Sequence, residues 1–524
     1  MDGYGDPLVD DEFYELSCPE GWVINNTDCN DADPLAYPGA PELPDDGVDQ
    51  DCDGVDLLLS NATGVFVAKT GNDANPGTMS QPKLTISAAV TVAKVGRKGV
   101  FVAEGNYTES VSATVSLFGG YESVSWSRTT SAHTTRITGT SQFYGSAVFV
   151  VSTDKVAIQG FSLIGVSVSG GESSHGAYIS GGTASLVDNI IDGGMWSENS
   201  YGVLISYGST TLVNNIINGG SWSSNSYGVY IIGGMATLAS NDINGGLGSA
   251  YSYGVFNVFY CYDPVCYGAA MLANNFIDGG SGSSYSYGVV NGGVVGGVTT
   301  GGLVTLLNNV IHGGSGAISL GVYNTRLATA TLANNVIDGG SGTTQSYGMT
   351  NSGTATLANN DIDGGTGNDI TYGVYNSGNV TTTLVNNFIS GGSGSSYSYG
   401  LYNPIFCVDQ VCYGSVTLVN NDIWGADQDC MIADFYDVCT NQVTLVNACG
   451  WTGCDTASGN ISDDPLFVNS DSGDFHLQSV SPCRDTGIDP VPDYINAGLA
   501  DFDFDGDARP YGAGWDIGVD EWTP

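Results

Sequence analysis

The residues best suited to chemistry in this sequence are the acidic side chains near its amino terminus. Between residues 28 and 54, carboxylates and amides recur at short spacing, and Gly47 and Gly54 allow tight turns. Hard cations such as Ca²⁺ need about six to eight oxygen ligands at short range, which acidic loops with glycine bends supply. The pattern predicts a calcium site, with a solvated acidic linker as the alternative. Its candidate ligands are Asp28, Asn30, Asp31, Asp33, Asp46, Asp49, Asp51 and Asp53.

Copper is the weaker candidate for this stretch. It prefers imidazole or sulfur ligands, and residues 1–56 contain no histidine.

A second acidic stretch lies near the carboxyl terminus, where aspartates alternate around Gly506. It predicts a second calcium loop. An Asp-rich turn with Arg509 as counter-ion explains the pattern equally well. The candidate ligands are Asp501, Asp503, Asp505 and Asp507.

Catalytic chemistry finds less support. A glycoside hydrolase needs two carboxyl groups about 5–9.5 Å apart, and Asp361 with Asp363 is the nearest approach to such a pair. Four aspartates precede a Gly-Gly pair at one fixed repeat position, so we interpret them as turn residues rather than catalysts. They are Asp192, Asp278, Asp338 and Asp363.

A lyase acting on acidic sugars would need basic residues, which the middle of the chain lacks. Between Lys155 and Arg484, the only lysine or arginine is Arg326. The four histidines are scattered, without zinc-site spacing. The sequence therefore favours a protein without enzymatic activity, and a polysaccharide lyase or glycoside hydrolase remains the alternative.

These candidate residues must be positioned by a repeat that fills the middle of the chain. Its pattern is Thr-Leu-small-Asn-Asn-x-Ile-x-Gly-Gly followed by Tyr-Gly-Val, with a usual period of about 26 residues. A fixed period of this size indicates a solenoid, and the alternating apolar residues with Gly, Asn and Ser clusters indicate short strands and turns. We therefore predict an all-β fold, a right-handed parallel β-helix. The repeated leucines are Leu186, Leu212, Leu238, Leu272, Leu306, Leu332, Leu357, Leu384, Leu418 and Leu445.

Two columns of identical side chains should stabilise this β-helix. The second asparagine of each pair, such as Asn215 or Asn241, is expected to hydrogen-bond the next coil in a buried ladder, at about 1 kcal/mol per rung. The tyrosine before each glycine, such as Tyr253 or Tyr287, is expected to stack on its equivalents. Further tyrosines, such as Tyr230 and Tyr375, should face outward and could bind neutral sugars or a partner protein.

The cysteines favour an oxidising compartment. Two coils of 34 residues carry matching pairs, Cys261/Cys266 and Cys407/Cys412, each expected to close a small disulfide loop. Cys29 is expected to pair with Cys52, whereas Cys18 and Cys483 are left open. The remaining close pairs are Cys430/Cys439 and Cys449/Cys454.

Three stretches resemble known families. Residues 27–54 resemble the metal-binding motif of secreted bacterial proteins, including the copper-associated MopE family, and the thrombospondin type 3 calcium repeat, although Leu43-Pro44 stands where a cysteine is often found. Residues 65–111 resemble the entry segment of secreted right-handed β-helix proteins, in which a helix plugs the first coil. Residues 501–522 are similar to the terminal signature of bacterial β-helix surface proteins, which implies a closing cap.

The entry segment predicts a helix with Ser80 as its cap, Pro82 in its first turn and Gly96 after its end. Its apolar face comprises Ile86, Ala89, Val90 and Ala93. The resulting domain boundaries are a metal-binding motif over 1–56, the cap helix and first coils over 57–174, regular repeats over 175–450, and final coils and cap over 451–524.

The net charge of −43 excludes nucleic acid as a partner, because phosphates would be repelled. No signal peptide and no apolar run long enough to span a membrane is evident, and the abrupt start after Met1 suggests a processed piece of a larger secreted protein. The sequence thus predicts an extracellular or surface-displayed, calcium-binding β-helix with a structural or adhesive role. Carbohydrate or other surface proteins are the expected partners, and assembly into oligomers or filaments is a third hypothesis.

Overall fold

The computed structural model describes most of the chain from residue 47 onward and isolated residues before it. The described residues are 29, 36, 40, 42–44, 47–96, 98–128, 135–151, 155–167, 173–258, 260–262, 265–295, 298–377, 380–394, 396–403, 406–408, 411–413, 415–424, 456–461, 463–469, 474–491, 494–495 and 501–523.

The fold is a right-handed parallel β-helix, as predicted, and its described residues fall into two compact units. The first unit comprises residues 1–223 and 234–242, and the second comprises 224–233 and 243–524. In both, each coil adds one short strand to each of three parallel sheets.

The described residues of the first unit form one helix, α1 (Ile86–Gly96), a 3-10 turn (Phe143–Gly145) and three sheets. Its first sheet is Gly64–Val67, Gly99–Ala103, Leu117–Tyr121, Lys155–Gln159, Thr183–Val187, Ser209–Val213 and Met235–Ala239. Its second sheet is Val111–Ser112, Val148–Val151, Ser173–Ser180 and Asn199–Ser206, and its third is Gly105–Thr108, Thr135–Thr138, Ser162–Ile164, Ile190–Asp192 and Ile216–Asn218.

The second unit repeats the three sheets. Its first sheet is Ala269–Ala273, Leu303–Leu307, Thr329–Ala333, Thr354–Ala358, Thr381–Val385, Ser415–Val419 and Thr456–Ser458. Its second is Ser221–Ile232 (from residue 224), Leu247–Val258, Ser281–Gly282, Tyr285–Asn291, Ser315–Asn324, Ser341–Asn351, Thr366–Gly367, Ile370–Asn376 and Tyr397–Tyr402. Its third is Asp242–Asn244 (from residue 243), Phe276–Asp278, Val310–His312, Val336–Asp338, Asp361–Asp363, Phe388–Ser390 and Asp422–Trp424.

In the part of the chain that the structure describes, four antiparallel hairpins lie outside these sheets. Three are the insertions of the 34-residue coils, and their backbones place Cys261 opposite Cys266 and Cys407 opposite Cys412. The two disulfides predicted there stay predictions, and the pairs from Cys430 to Cys454, like Cys18, lie outside the described residues. The hairpins are Tyr260–Tyr262 with Val265–Tyr267, Gly293–Val295 with Val298–Thr300, Phe406–Val408 with Val411–Tyr413, and Phe467–Asn469 with Asp474–Leu477.

Equivalent residues of successive coils are direct neighbours within each unit. Leu186 pairs with Leu212, and Leu306 pairs with Leu332. These leucines are fully buried, so the sequence period is one turn of the β-helix and its leucine column is the core.

The predicted asparagine ladder is present in both units. Each buried asparagine donates from Nδ2 to Oδ1 of its equivalent in the next coil, at 2.9–3.0 Å. Its own backbone N–H donates to the same Oδ1. The described rungs are Asn189–Asn215, Asn215–Asn241, Asn275–Asn309, Asn309–Asn335, Asn335–Asn360, Asn360–Asn387, Asn387–Asn421 and Asn421–Asn460.

The first asparagine of each pair has a different task. Asn334, Asn359 and Asn386 have φ of +54° to +56°, in the left-handed region that asparagine tolerates better than most residues. This conformation turns the chain between the first and third sheets.

Tyrosine stacking is also confirmed by the geometry. Tyr227, Tyr253 and Tyr287 stack with ring centroids 4.7 and 5.0 Å apart, and Tyr375 lies parallel to Tyr402 at 5.4 Å. Burial raises the pKa of the Tyr227, Tyr253 and Tyr287 phenols, and it raises that of Tyr230 to about 12. These side chains therefore stay neutral and pack as aromatic surface.

The sequence analysis missed a second asparagine ladder. Asn257, Asn291, Asn324 and Asn351 are buried at the ends of second-sheet strands and link successive Nδ2 and Oδ1 atoms at 2.8–2.9 Å. Each lies three residues after the repeat glycine of Tyr-Gly-Val or its variants, a recurrence that could have revealed the ladder.

The entry helix covers the first coil with the predicted apolar face buried, but its predicted start is wrong. The helix begins at Ile86 rather than near Ser80. The preceding residues are held extended instead, because Lys83 bridges to Val67, and Thr85 Oγ1 accepts the Ala88 N–H at 3.3 Å. Among the described residues, no helix has the length and apolarity needed to cross a membrane.

Candidate functional sites

The first candidate site is an acidic loop, residues 42–57, in the first unit. Leu43 is buried in an aromatic cluster with Phe66, Phe101 and Trp126, against which Leu57 also packs. The predicted disulfide between Cys29 and Cys52 is present. The loop is thus fixed to the first coils by apolar packing at both ends.

Three carboxylates converge in this loop. One oxygen each of Glu42, Asp49 and Asp51 lies within 4.8 Å of the others. Burial raises the pKa of Glu42 and Asp51. Repulsion from Asp51 adds to the increase at Glu42, and repulsion from Asp53 and Asp49 adds to the increase at Asp51. Such a cluster is an oxygen-only donor set that a divalent cation would neutralise.

Backbone N–H groups preorganise the same carboxylates. Glu42 accepts from Asp51 N at 2.9 Å and from Leu57 N at 2.8 Å. Asp49 accepts from Asp53 N and Gly54 N, and Gly54 has φ of +95°, as the turn requires.

Of the predicted ligands in this stretch, the structure brings Asp49 and Asp51 together and leaves Asp53 outside the cluster, where its Oδ1 accepts from Val55 N. Glu42 was missed, although it lies within residues 27–54, the stretch that resembles a metal-binding motif. Asp28, Asn30, Asp31, Asp33 and Asp46 lie outside the described residues.

The second candidate site is a cleft in the second unit, which we call the cap cleft. It lies between the third sheet and the closing segment, residues 463–523, and has a volume of about 1000 Å³. Phenyl rings and carboxyl groups share its lining, including Phe276, Asp361, Phe388, Phe467, His476 and Asp520.

The first asparagines of the repeat pairs, which we call the outward asparagines, hydrogen-bond the closing segment. Asn334 donates to Phe502 O at 2.8 Å, and Asn386 donates to Ile488 O at 2.6 Å. Beside these contacts, Trp515 and Ile495 pack on Ala333 and Ala358. The coils thus supply both hydrogen bonds and an apolar seat for this segment.

Asp361 is the most unusual group in the cap cleft. Its neighbours in the same strand column are Val336 and Phe388, and its own side chain is 3% exposed. Oδ1 accepts from Val519 N at 3.2 Å, whereas Oδ2 has no hydrogen-bond partner among the described residues. Burial raises its pKa to about 8.

Other carboxyl groups around the closing segment share this perturbation. Burial raises the pKa of Asp422 and of Glu521 to about 7, and that of Asp363 and of Asp520 to about 6. Arg509, which is buried, lies 3.7 Å from Glu521. The region therefore holds several carboxyl groups whose pKa burial raises toward neutral pH.

The aspartates before Gly-Gly do serve as turn residues. Oδ1 of Asp192, Asp278, Asp338 and Asp363 accepts the N–H of the second glycine at 2.5–2.7 Å. One of them has a further partner: Asp338 lies 3.6 Å from His312 Nδ1. This contact with Asp338 raises the pKa of His312. Burial alone would raise the pKa of Asp338, but the contact with His312 lowers it.

The predicted carboxyl-terminal loop does not gather its four aspartates at one point. Asp503 is buried and holds the turn, accepting from Asp505 N and Asp507 N. Asp501 is exposed, and Asp507 accepts from Thr523 at 3.3 Å. Asp505 lies instead beside His476 and Asp520, two residues that the sequence analysis did not select, because no spacing connects them.

Two family models match parts of the chain. Residues 28–56 match the family model Cu-binding MopE, described as "Putative metal-binding motif". Residues 69–263 match a family described as "Protein of unknown function (DUF1565)". No curated protein matches the chain.

Solved structures with similar folds have low sequence identity. The pectate lyase Pel9A is 13% identical, with 89% of this chain and 97% of that chain covered and a TM-score of 0.40. A complex of XylC with xylose is 10% identical, covering 87% and 98%, with a TM-score of 0.48. The periplasmic alginate epimerase AlgG is 13% identical, covering 70% and 77%, with a TM-score of 0.38. Similarity at this level says nothing about activity.

Proposed function

We propose that this chain is an extracytoplasmic, calcium-binding β-helix protein with a structural or adhesive role at a cell surface or in extracellular matrix. The observation that carries the proposal is the convergence of Glu42, Asp49 and Asp51 in a loop packed on the first coils. A disulfide between Cys29 and Cys52 supports an oxidising location.

Calcium suits the loop better than copper. The three gathered ligands are carboxylates, which hard cations prefer, whereas copper favours imidazole or sulfur. The nearby cysteine sulfurs, those of Cys29 and Cys52, form the disulfide with each other. An ion bound here would link Glu42 to Asp49 and Asp51 and so make the loop at the entry end of the β-helix more rigid.

Calcium binding is the first expected result. After EDTA treatment, the full chain should bind Ca²⁺ with a Kd of about 10⁻⁴–10⁻³ M or tighter, typical of extracellular modules, in isothermal titration. Asp51→Asn should weaken this binding at least ~10-fold, because one of three converging charges is lost. The matched control, Asp369→Asn, changes an exposed aspartate of the second unit and should bind as wild type.

Either of two results would contradict calcium binding at the loop. One is the absence of heat up to millimolar Ca²⁺. The other is Cu²⁺ binding that is tighter than Ca²⁺ binding and equally sensitive to Asp51→Asn.

The cap cleft favours a second candidate function, binding of or action on neutral glycans. Phe276 is 44% exposed there, so its ring can stack on a sugar, and the carboxyl groups of Asp363 and Asp520 can bind hydroxyls. The chain's net charge of −43 disfavours acidic sugars. The same lining of the cap cleft would also suit binding of a surface glycan without catalysis.

A glycan array tests this second candidate. Wild-type protein should retain neutral oligosaccharides, and Phe276→Ala should lose at least ~5-fold in signal, since aromatic contacts contribute about 1 kcal/mol or more. Val480→Ala, an exposed apolar change elsewhere in the closing segment, is the control. An array without hits would rule out sugar binding.

A further inference from the structure

The carboxyl-terminal part of the chain contains a cluster that the calcium proposal does not use. His476 Nε2 lies 3.1 Å from Asp505 Oδ2, and one ligand atom each of His476, Asp505 and Asp520 lies within 4.8 Å of the others. The three residues come from a hairpin, from the acidic turn and from the last residues of the chain, so the closing segment must fold to bring them together.

The histidine of this cluster is oriented by a fourth residue. Its Nδ1 lies 2.7 Å from Asp474 Oδ1, which suits an N–H donated to that carboxylate. In the neutral ring, Nε2 then carries the lone pair and faces Asp505. A carboxylate behind a histidine is the usual outer-shell partner of a metal-binding imidazole, because it fixes the tautomer and ring orientation.

An independent observation also points to a cation. Asp361 lines the same cleft and is 97% buried, since its exposed fraction is 3%. Its Oδ2 has no hydrogen-bond partner in the described part of the chain. A buried carboxyl oxygen without a donor is costly, and a cation in the cleft would reduce that cost.

We propose that His476, Asp505 and Asp520 bind a first-row divalent metal ion, with zinc as the best match, and that Asp474 positions the histidine. The mixed imidazole and carboxylate set separates this site from the calcium loop: calcium takes oxygen ligands, whereas zinc binds imidazole nitrogen and carboxylate oxygen at about 2.0–2.2 Å. Three protein ligands leave one position of a tetrahedral ion open toward the cap cleft.

The ion would join three stretches that are distant in the sequence. Asp520 is buried and its Oδ2 accepts from Leu477 N at 2.7 Å, so the site lies where the hairpin meets the last residues of the chain. Metal binding would therefore fix three parts of the closing segment to one another, and the open position would let a ligand in the cleft reach the ion.

Zinc titration of the full chain tests this site. The protein carries Asp49→Asn and Asp51→Asn to silence the amino-terminal loop and is stripped with EDTA. It should then bind one Zn²⁺, and Co²⁺ should give a visible absorption band of a low-symmetry nitrogen and oxygen site. His476→Gln should remove the band and weaken Zn²⁺ binding at least ~100-fold.

Two further variants separate metal binding from folding. Asp474→Asn keeps all three ligands and should weaken Zn²⁺ binding about 10–100-fold, as expected of an outer-shell partner, with an unchanged circular dichroism spectrum. Asp501→Asn, an exposed aspartate of the same turn, should bind as wild type. Zinc binding that survives His476→Gln, that is lost equally in Asp501→Asn, or that is absent from the parent protein would overturn the proposal.

Discussion

Asn335→Ala should destabilise the second unit by about 3–5 kcal/mol. The Asn335 side chain is fully buried and occupies the centre of the ladder. Its Oδ1 accepts from Asn309 N and Nδ2 at 2.9 and 3.0 Å, and its Nδ2 donates to Leu306 O and Asn360 Oδ1, both at 2.9 Å. Alanine removes all four hydrogen bonds. Asn309 N loses its acceptor, at about 1–3 kcal/mol for an unsatisfied buried group, and each other lost bond costs about 0.5–1.5 kcal/mol, because Asn309 Nδ2 keeps Leu272 O and Asn360 Oδ1 keeps the N–H of residue 335.

Urea unfolding followed by circular dichroism measures this loss. The matched control is Asn368→Ala, because Asn368 is exposed and its Nδ2 makes one hydrogen bond, to Thr343 O. It should change the free energy of unfolding by about 0.5 kcal/mol or less. A loss below about 1 kcal/mol for Asn335→Ala would mean that the ladder is not a main source of stability.

Asp361→Asn should stabilise the metal-free protein at pH 8.5 by roughly 2–5 kcal/mol and leave it nearly unchanged at pH 4. The folded-state pKa of Asp361 is raised to about 8 from an ordinary value of 3.8. Between these values the native state binds more protons than the unfolded state, so stability is complete below about pH 4 and falls as pH rises toward 8. A tenfold change in the acid dissociation constant corresponds to about 1.4 kcal/mol, and asparagine removes the titration.

The test is urea unfolding in EDTA at both pH values. Asp422 and Glu521 have pKa values raised in the same direction, so the wild-type protein should lose stability between pH 4 and 8, and the variant should lose less. Asp369→Asn, an exposed change, should follow the wild-type curve. Equal pH dependence of Asp361→Asn and wild type would show that Asp361 is not the group responsible.

The repeat made most of the fold predictable. A leucine every 26 residues and a second asparagine in step with it require vertical neighbours, and both columns are where the pattern placed them. The start of the entry helix was missed, because Lys83 and its neighbours are held by tertiary bridges that local propensity does not contain. The second ladder was predictable in principle, since Asn257 and Asn291 both lie two residues after the tripeptide Tyr-Gly-Val.

The sites were less accessible to sequence reasoning. Asp49 and Asp51 lie close in sequence to Glu42, so a local motif reveals most of that loop. The cap cleft has no local signature: His476 and Asp520 meet only when the closing segment folds back on the coils. Asp361 was visible as half of a carboxylate pair, but its burial comes from Val519 lying across it, which no periodicity encodes.

The outward asparagines of the repeat have a consequence for how such a chain can change in length. Whole coils could be duplicated or deleted in the part of the second unit that precedes residue 329. Such a change would leave the contacts between the later coils and the closing segment intact. The same event between 329 and 390 would shift Ala333, Ala358 and Asp361 out of step with Trp515 and Val519. Natural variants of this architecture should therefore vary in size on one side of residue 329 and stay constant on the other.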